Sequence, residues 1–294
     1  MLATMTQPTE NTLAGQVALI TGANTGIGRV TARELARRGA HVFIACRSAQ
    51  RAQPVLDEMR STTGNAKIEL LSLDLGDLAS VCACAQAFLA RDLPLHLLIN
   101  NAGIAGAKGL STSGFELAFG VNHIGHFLLT QLLLDRLKRS APARIVTVSS
   151  RAHARVNGID WDAVKRTTKS VTGLPEYGVS KLANALFSAE LGRRLAGSGV
   201  STYALHPGVV ASEVWRSVPW PFRSLMKLTM ISTEEGAATT LHCATSPEVA
   251  GETGLYYDKC RVKQPSRLVQ DQALAAELWQ RSEAWVAPYL TASA

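Results

Sequence analysis

The sequence predicts an α/β fold, a doubly wound parallel sheet with helices on both faces, in a single domain. Three observations predict it. Short apolar, β-branched runs alternate with longer stretches of helical period through the first two-thirds of the chain. The runs are apolar at successive positions, which suits strands covered on both sides. A glycine cluster sits between the first run and the first helical stretch.

The runs are VALITGA (17–23), HVFIACR (41–47), KIELLSLDL (67–75), PLHLLINNAG (94–103), ARIVTVSS (143–150) and VSTYALHPG (200–208), with GLYYDK (254–259) as a candidate seventh. Between them lie segments such as GRVTARELARRG, apolar at helical spacing. Right-handed crossovers gather all strand C-termini on one edge, where ligands of such sheets bind. Every motif below lies at or just past a strand C-terminus.

The chain has 294 residues, 47% hydrophobic and 18% charged, which excludes a disordered chain. The formal charge of +7 is scattered. Its densest groups, Arg33/Arg37/Arg38, Arg136/Lys138/Arg139 and Arg193/Arg194, fall at helical spacing and read as solvated faces. No nucleic-acid partner is expected, although positive potential helps to steer an anionic cofactor. Cys46, Cys82, Cys84, Cys243 and Cys260 form no metal or disulfide pattern and are expected to be reduced.

Residues 1–14 are expected to be a flexible tail. They lack a basic region followed by an apolar one, so no signal peptide is expected. No membrane anchor is expected either, and the expected location is cytoplasmic. One domain spans 15–294. Within it, 209–232 is aperiodic and holds Trp215, Pro219, Trp220, Pro221, Phe222 and Met226. This stretch is expected to be an apolar substrate lobe.

TGANTGIG places Gly22, Gly26 and Gly28 in the spacing G-x-x-x-G-x-G, with Asn24, Thr25 and Ile27 between them. Glycine permits positive φ and close backbone approach, and the following helix offers unpaired N–H groups to a pyrophosphate. The second run ends in Arg47 with no acid nearby. An acid there would bind the ribose diol of NAD, whereas an arginine suits a 2′-phosphate. The expected cofactor is therefore NADP(H). Arg29, just after the loop, is a possible assistant.

Tyr177 and Lys181 stand four apart in YGVSK, on one face if the segment opens a helix. Pro175 and the periodic continuation support that helix. A nearby ammonium is expected to lower the tyrosine pKa and make it a general acid and base. Ser149-Ser150 ends the fifth run, where a hydroxyl can orient a substrate oxygen. Asn100-Asn101-Ala102-Gly103 ends the fourth, and its small residues let a cofactor lie close. Asn122 starts an apolar helix and is placed to hold a backbone carbonyl or a water beside Lys181. His123 and His126 are three apart but lack a third ligand, so no metal is expected.

TGANTGIG, NNAG, VSS and YGVSK, in this order, resemble the short-chain dehydrogenase/reductase family over about residues 15 to 260. ACR, NHIGHF, SSRAH and YGVSKLAN are similar to its retinol dehydrogenase-like and WW-domain-containing oxidoreductase-like branch. The resemblance implies a Rossmann fold with seven parallel strands. It implies a catalytic tetrad of Asn122, Ser150, Tyr177 and Lys181, with Lys181 also bonding the nicotinamide ribose. It places Asp74 and Leu75 by the adenine, Asn101 and Gly103 along the cofactor, and Pro207, Gly208 and Val210 by the nicotinamide. Ser212 stands where the family often has a carboxamide-binding threonine. Animal retinol dehydrogenases carry an N-terminal anchor that is not legible here. The resemblance further implies a homo-oligomer, dimer or tetramer, built on the helices after 124 and after Tyr177.

The expected activity is interconversion of an alcohol and a ketone or aldehyde on a hydrophobic small molecule. A catalytically silent dinucleotide-binding regulator is the alternative.

Overall fold

The structure is a computed structural model and describes residues 12–210 and 230–291. Strands form where the apolar runs lie: β1 (Val17–Thr21), β2 (His41–Cys46), β3 (Ile68–Ser72), β4 (Leu97–Asn100), β5 (Ala143–Val148), β6 (Val200–His206) and β7 (Leu255–Asp258). They pair in parallel in the order β3-β2-β1-β4-β5-β6-β7. The order reverses between β1 and β4, and that switch point opens the crevice in which ligands of doubly wound sheets bind.

The sheet has one strand more than the seven expected. β8 (Arg261–Val262) pairs antiparallel with β7 through a turn at Lys259 and Cys260. Both turn residues take positive φ, 54° and 58°. Such two-residue turns usually carry Asn or Gly, and β8 is short and exposed, so neither the turn nor the strand left a pattern in the sequence.

Among the described residues the helices are α1 (Gly26–Arg37), α2 (Ala49–Thr63), α3 (Leu78–Leu89), α4 (Leu117–Phe119), α5 (Gly125–Arg139), α6 (Leu174–Arg194), α7 (Thr233–Thr245), α8 (Arg267–Gln270) and α9 (Gln272–Thr291). Two core layers flank the sheet. Ala18 and Ile20 of β1 face one layer with Leu35, Leu56, Met59 and Cys243. Leu19 faces the other with Phe88, Phe127, Leu186 and Trp279. Burial on both faces explains why the strand runs are continuous rather than alternating.

α4 continues through a π-helical turn (Gly120–Ile124) into α5, so Asn122 lies inside a helix rather than at its start. The segment Leu117–Arg139 is long and apolar enough by composition to cross a membrane. In this fold it is a core helix, with Phe127, Leu128, Leu129 and Leu133 fully buried.

α9 packs over α5 and α6. The Trp279 ring lies 5.1 Å from Phe127 and 6.0 Å from Phe187, and the Arg194 guanidinium covers it at 4.3 Å. The resemblance assigned α5 and α6 to a subunit interface. On the face described here the chain's own C-terminal helix buries aromatic side chains of both helices.

Leu13, which the sequence reading placed in the N-terminal tail, is bonded to the domain. The Leu13 amide donates to the Arg38 carbonyl over 2.8 Å, which joins residues 12–14 to the domain. Residues 1–11 lie outside the described residues, as do Ser212 and all but the margins of the 209–232 lobe. At those margins Val210 bridges Ile231, and the Ile231 amide donates to the Val209 carbonyl over 2.9 Å.

Candidate active site

A cleft of about 1130 Å³ runs along the C-terminal edge of the sheet. Gly22, Asn24, Thr25, Gly26, Ile27, Gly28, Arg47, Asp74, Leu75, Asn101, Ala102, Gly103, Pro207, Gly208 and Val210 all line it, together with Ser150, Tyr177 and Lys181. Residues spread over 189 positions of sequence meet here because parallel strands deliver their ends to one edge.

The three loop glycines have separate reasons. A Cβ on Gly22 would come within 2.9 Å of Ala102, and one on Gly28 within 2.4 Å of the Asn101 amide nitrogen. Both are therefore required by contact with the strand β4 turn. Gly26 takes φ 56°, which opens α1. No acidic residue stands in the first turn of α1 and Thr25 makes no side-chain cap, so the helix end remains available to an anion.

Arg47 is exposed on the cleft wall and makes no hydrogen bond or ion pair among the described residues. Arg29 instead pairs with Glu58. Asp74 is held in place by accepting from the Gly76 amide over 2.9 Å.

Thr21 and His126 fasten the cleft floor. The Thr21 hydroxyl oxygen accepts from the amides of Asn101 and Ala102, at 3.0 and 2.9 Å. Its hydrogen points to His126 Nε2, 2.8 Å away, because His126 Nδ1 must donate to the Asn122 carbonyl at 2.9 Å. Neutral imidazole is thus built in, and burial lowers the His126 pKa to about 4. His123 is occupied differently, with Nε2 at 3.1 Å from Ser282 Oγ. The two histidines that stand three apart in sequence serve two separate packing jobs.

Asn122 is fully buried and does not line the cleft. Its side chain binds both the amide and the carbonyl of Ile104, at 2.9 and 3.0 Å, and donates to Ser180 Oγ at 2.9 Å. It holds a backbone carbonyl, the first of the two roles expected for it. The neighbouring Gly103 lies so close to Lys181 that a Cβ there would stand 3.4 Å from Nζ.

The two serines divide their tasks. Ser149 Oγ donates to the Lys181 carbonyl over 2.7 Å and pins α6 to β5. Ser150 Oγ accepts from the Ala152 amide at 3.2 Å and shares a hydrogen bond with the Tyr177 hydroxyl. Gly178 lets the turn after Ser150 approach α6, since a Cβ there would lie 2.8 Å from Val156.

Lys181 Nζ donates to the Val148 carbonyl at 2.8 Å and lies 5.7 Å from the centre of the Tyr177 ring. Burial lowers its pKa to about 7. Burial raises that of Tyr177 to about 12, against a smaller lowering by Ser150. This corrects the expectation that the ammonium lowers the tyrosine pKa. With both groups out of water, desolvation exceeds their attraction.

Sequence reading missed Thr21, Asn184 and His153. Asn184 Nδ2 shares the Val148 carbonyl with Lys181, at 3.1 Å. Its position three residues after Lys181 on one helix was the available signal. His153 had only its proximity to Ser150 in sequence.

A glycine-lined cleft at the switch point of a doubly wound sheet defines a dinucleotide-binding type of site. The family model for short chain dehydrogenase matches residues 16–220. Mouse retinol dehydrogenase 12 is 46% identical, over 92% of this chain and 86% of its own. Human retinol dehydrogenase 11 is 45% identical, over 92% and 85%. Among solved structures, an uncharacterized protein of Mycobacterium paratuberculosis matches with a TM-score of 0.75 and 35% identity, over 94% of each chain. A Pseudomonas aeruginosa RhlG/NADP active-site complex matches with a TM-score of 0.66 and 28% identity, over 83% of this chain and 94% of that one. The chain belongs to the short-chain dehydrogenase family, in its retinol dehydrogenase-like branch. It is an alcohol/carbonyl oxidoreductase that uses a nicotinamide dinucleotide.

Proposed function

We propose that the enzyme is NADP(H)-dependent and interconverts a hydrophobic alcohol with its aldehyde or ketone, with Tyr177 as general acid and base. The observation that carries this reading is the hydrogen bond between Ser150 and Tyr177, at the cleft surface beside Lys181.

The residues present fit the cofactor. Gly22 and Gly28 leave no room for a Cβ, the start of α1 is free of acids, and Arg47 stands unpaired among the described residues. The glycine loop and α1 would hold the pyrophosphate, Arg47 the 2′-phosphate, and Asp74 with Leu75 the adenine. Asn101 to Gly103, Pro207, Gly208 and Val210 would border the nicotinamide half, which supplies or accepts the hydride.

The protein moves the proton. At neutral pH Tyr177 keeps its phenolic hydrogen, since burial holds its pKa at about 12. That is the state needed to protonate an alkoxide oxygen in the reductive direction. Ser150 Oγ accepts from the Ala152 amide, which fixes the hydroxyl beside Tyr177, where a substrate oxygen could join their hydrogen bond. A phenolate left on Tyr177 is stabilised by Lys181, whose charge becomes favourable once a negative charge is near. Asn122 acts behind them by fixing Ile104 and Ser180. Ala152, Val156, Leu174 and Pro175 line the cleft around Tyr177 and suit an apolar substrate body.

The test is nicotinamide absorbance with a panel of apolar aldehydes and ketones, comparing wild type with Tyr177→Phe. Turnover with NADPH that is lost in the variant supports the reading. Turnover in the variant close to wild type defeats the assignment of Tyr177.

A further inference from the structure

The short 3-10 turn Arg151–Arg155 follows directly on Ser150 and carries His153, which is buried. Its ring makes two hydrogen bonds of fixed direction. Nδ1 lies 2.6 Å from the Ser150 carbonyl oxygen, which can only accept. Nε2 lies 3.1 Å from the Ser266 amide, which can only donate. Together they admit one state, the neutral imidazole with its hydrogen on Nδ1. A proton on Nε2 would set two N–H groups against each other.

From this we infer that His153 is a positioning residue for Ser150, locked in the Nδ1–H tautomer by the backbone of Ser266. The inference rests on the reading of Ser150 as a catalytic group. The Ser150 carbonyl accepts from both the amide and the ring of His153, at 3.1 and 2.6 Å. Its hydroxyl meanwhile caps the same turn through Ala152. The ring packs edge-on against Tyr256 of β7, with centroids 4.9 Å apart. The turn is tied down a second time by Arg151, whose guanidinium donates to Asp258 at 2.9 and 3.2 Å, while Lys263 donates to the same oxygen at 2.9 Å. The hairpin of β7 and β8 and the strand-to-helix link at Ser266 thereby set where the Ser150 hydroxyl points.

The charges around the ring agree with a neutral state. Burial lowers its pKa first, the Ser150 carbonyl raises it, and Lys263 lowers it again. Arg151 on the same turn, Asp258 and Tyr256 on β7, and His206 on β6 complete the titratable and charged groups facing this corner. Lys263 and Arg151 both donate to Asp258, the carboxylate of this corner, and no ion pair joins His153 to an acid among the described residues.

Three substitutions separate the two bonds. His153→Phe keeps the ring shape and removes both. His153→Asn keeps a donor near the Nδ1 position. Ser266→Pro removes the amide hydrogen, and with it a hydroxyl that has no hydrogen-bond partner among the described residues, at a residue whose φ is already −60°. The Phe variant is expected to lose about 10- to 100-fold in kcat with NADPH affinity unchanged, because a small displacement of a catalytic hydroxyl costs that much. The Asn variant should recover part of the loss. Ser266→Pro should lower kcat and raise the apparent pKa of the acid limb of its pH profile. A Phe variant within about two-fold of wild-type kcat overturns the inference, as does an Asn variant no better than Phe.

A second readout does not depend on turnover. Long-range ¹H–¹⁵N spectra of the cofactor-free protein, assigned with the Phe variant, should show His153 as the Nδ1–H tautomer. An Nε2–H pattern, or an imidazolium at neutral pH, overturns it. If wild type turns nothing over while the spectra show Nδ1–H, the proposed function has failed and the ring's geometry has not. If Ser150→Ala is inactive and His153→Phe is not impaired, the reverse holds.

Discussion

Lys181 Nζ donates to the carbonyl oxygen of Val148 over 2.8 Å, and this bond anchors the amine to the end of β5. The amine is otherwise out of water, and burial lowers its pKa to about 7. Gly103 lies close by and carries no charge that would hold an ammonium. The amine is therefore only partly charged near neutral pH, and anionic groups that arrive would favour its charged form.

Cofactor binding should take up a proton. Near pH ~8.5 Lys181 is mostly neutral in the free protein, and the negative charges of NADPH raise its pKa. Calorimetry in buffers of different ionisation enthalpy should show net uptake on NADPH binding, and Lys181→Met should abolish it. Equal heats across buffers for wild type would contradict the assignment.

Tyr177→Phe removes the only hydroxyl that the proposed mechanism uses as an acid. Its kcat should fall on the order of 10²- to 10⁴-fold. The Kd for NADPH should stay near the wild-type value, as read by fluorescence titration.

Arg47→Asp tests the choice of cofactor. A charge-assisted bond to a phosphate contributes about 1.5–3 kcal/mol, so NADPH should bind roughly 10- to 150-fold more weakly. NADH should lose far less or gain. Equal weakening of both would show that Arg47 does not read the 2′-phosphate.

Thr21→Val keeps shape but strands the Ala102 amide and the Nε2 of His126, and leaves the Asn101 amide with only the Ile99 carbonyl. A stability loss of at least about 2 kcal/mol is expected from unfolding in urea. Thr21→Ser, which retains the hydroxyl, should lose much less.

Acid should unfold the protein early. Burial lowers the pKa of His123 to about 3, and of His126 and His206 to about 4. The unfolded chain protonates these groups near ~6.5, so it binds more protons than the fold below that value. Their contribution is complete above ~6.5 and falls as the pH drops, by up to about 1.4 kcal/mol per unit for each histidine. Urea midpoints taken from pH ~7 down to ~4.5 should decline monotonically, and a flat profile would refute the buried neutral state.

Sequence alone determined the parallel sheet, because strands covered on both faces need continuous apolar runs and these are local. It also determined the cleft, because TGANTGIG, NNAG and VSS follow strand ends, and chirality sends all parallel strand ends to one edge. Ser150, Tyr177 and Lys181 were legible through VSS and YGVSK, and Asn122 through the apolar helix that follows it and the family resemblance. What only the tertiary structure decided depends on contacts between distant segments. It separated Ser149, which bonds α6, from Ser150, which bonds Tyr177. It set the Tyr177 and Lys181 pKa values through burial, which no spacing of two residues reveals. It laid α9 over the aromatic faces of α5 and α6, and it joined His153 to Ser266 across 113 positions of chain. Hydrogen-bond direction and desolvation belong to a packed neighbourhood, and neighbours far apart in sequence are assigned only when the chain folds.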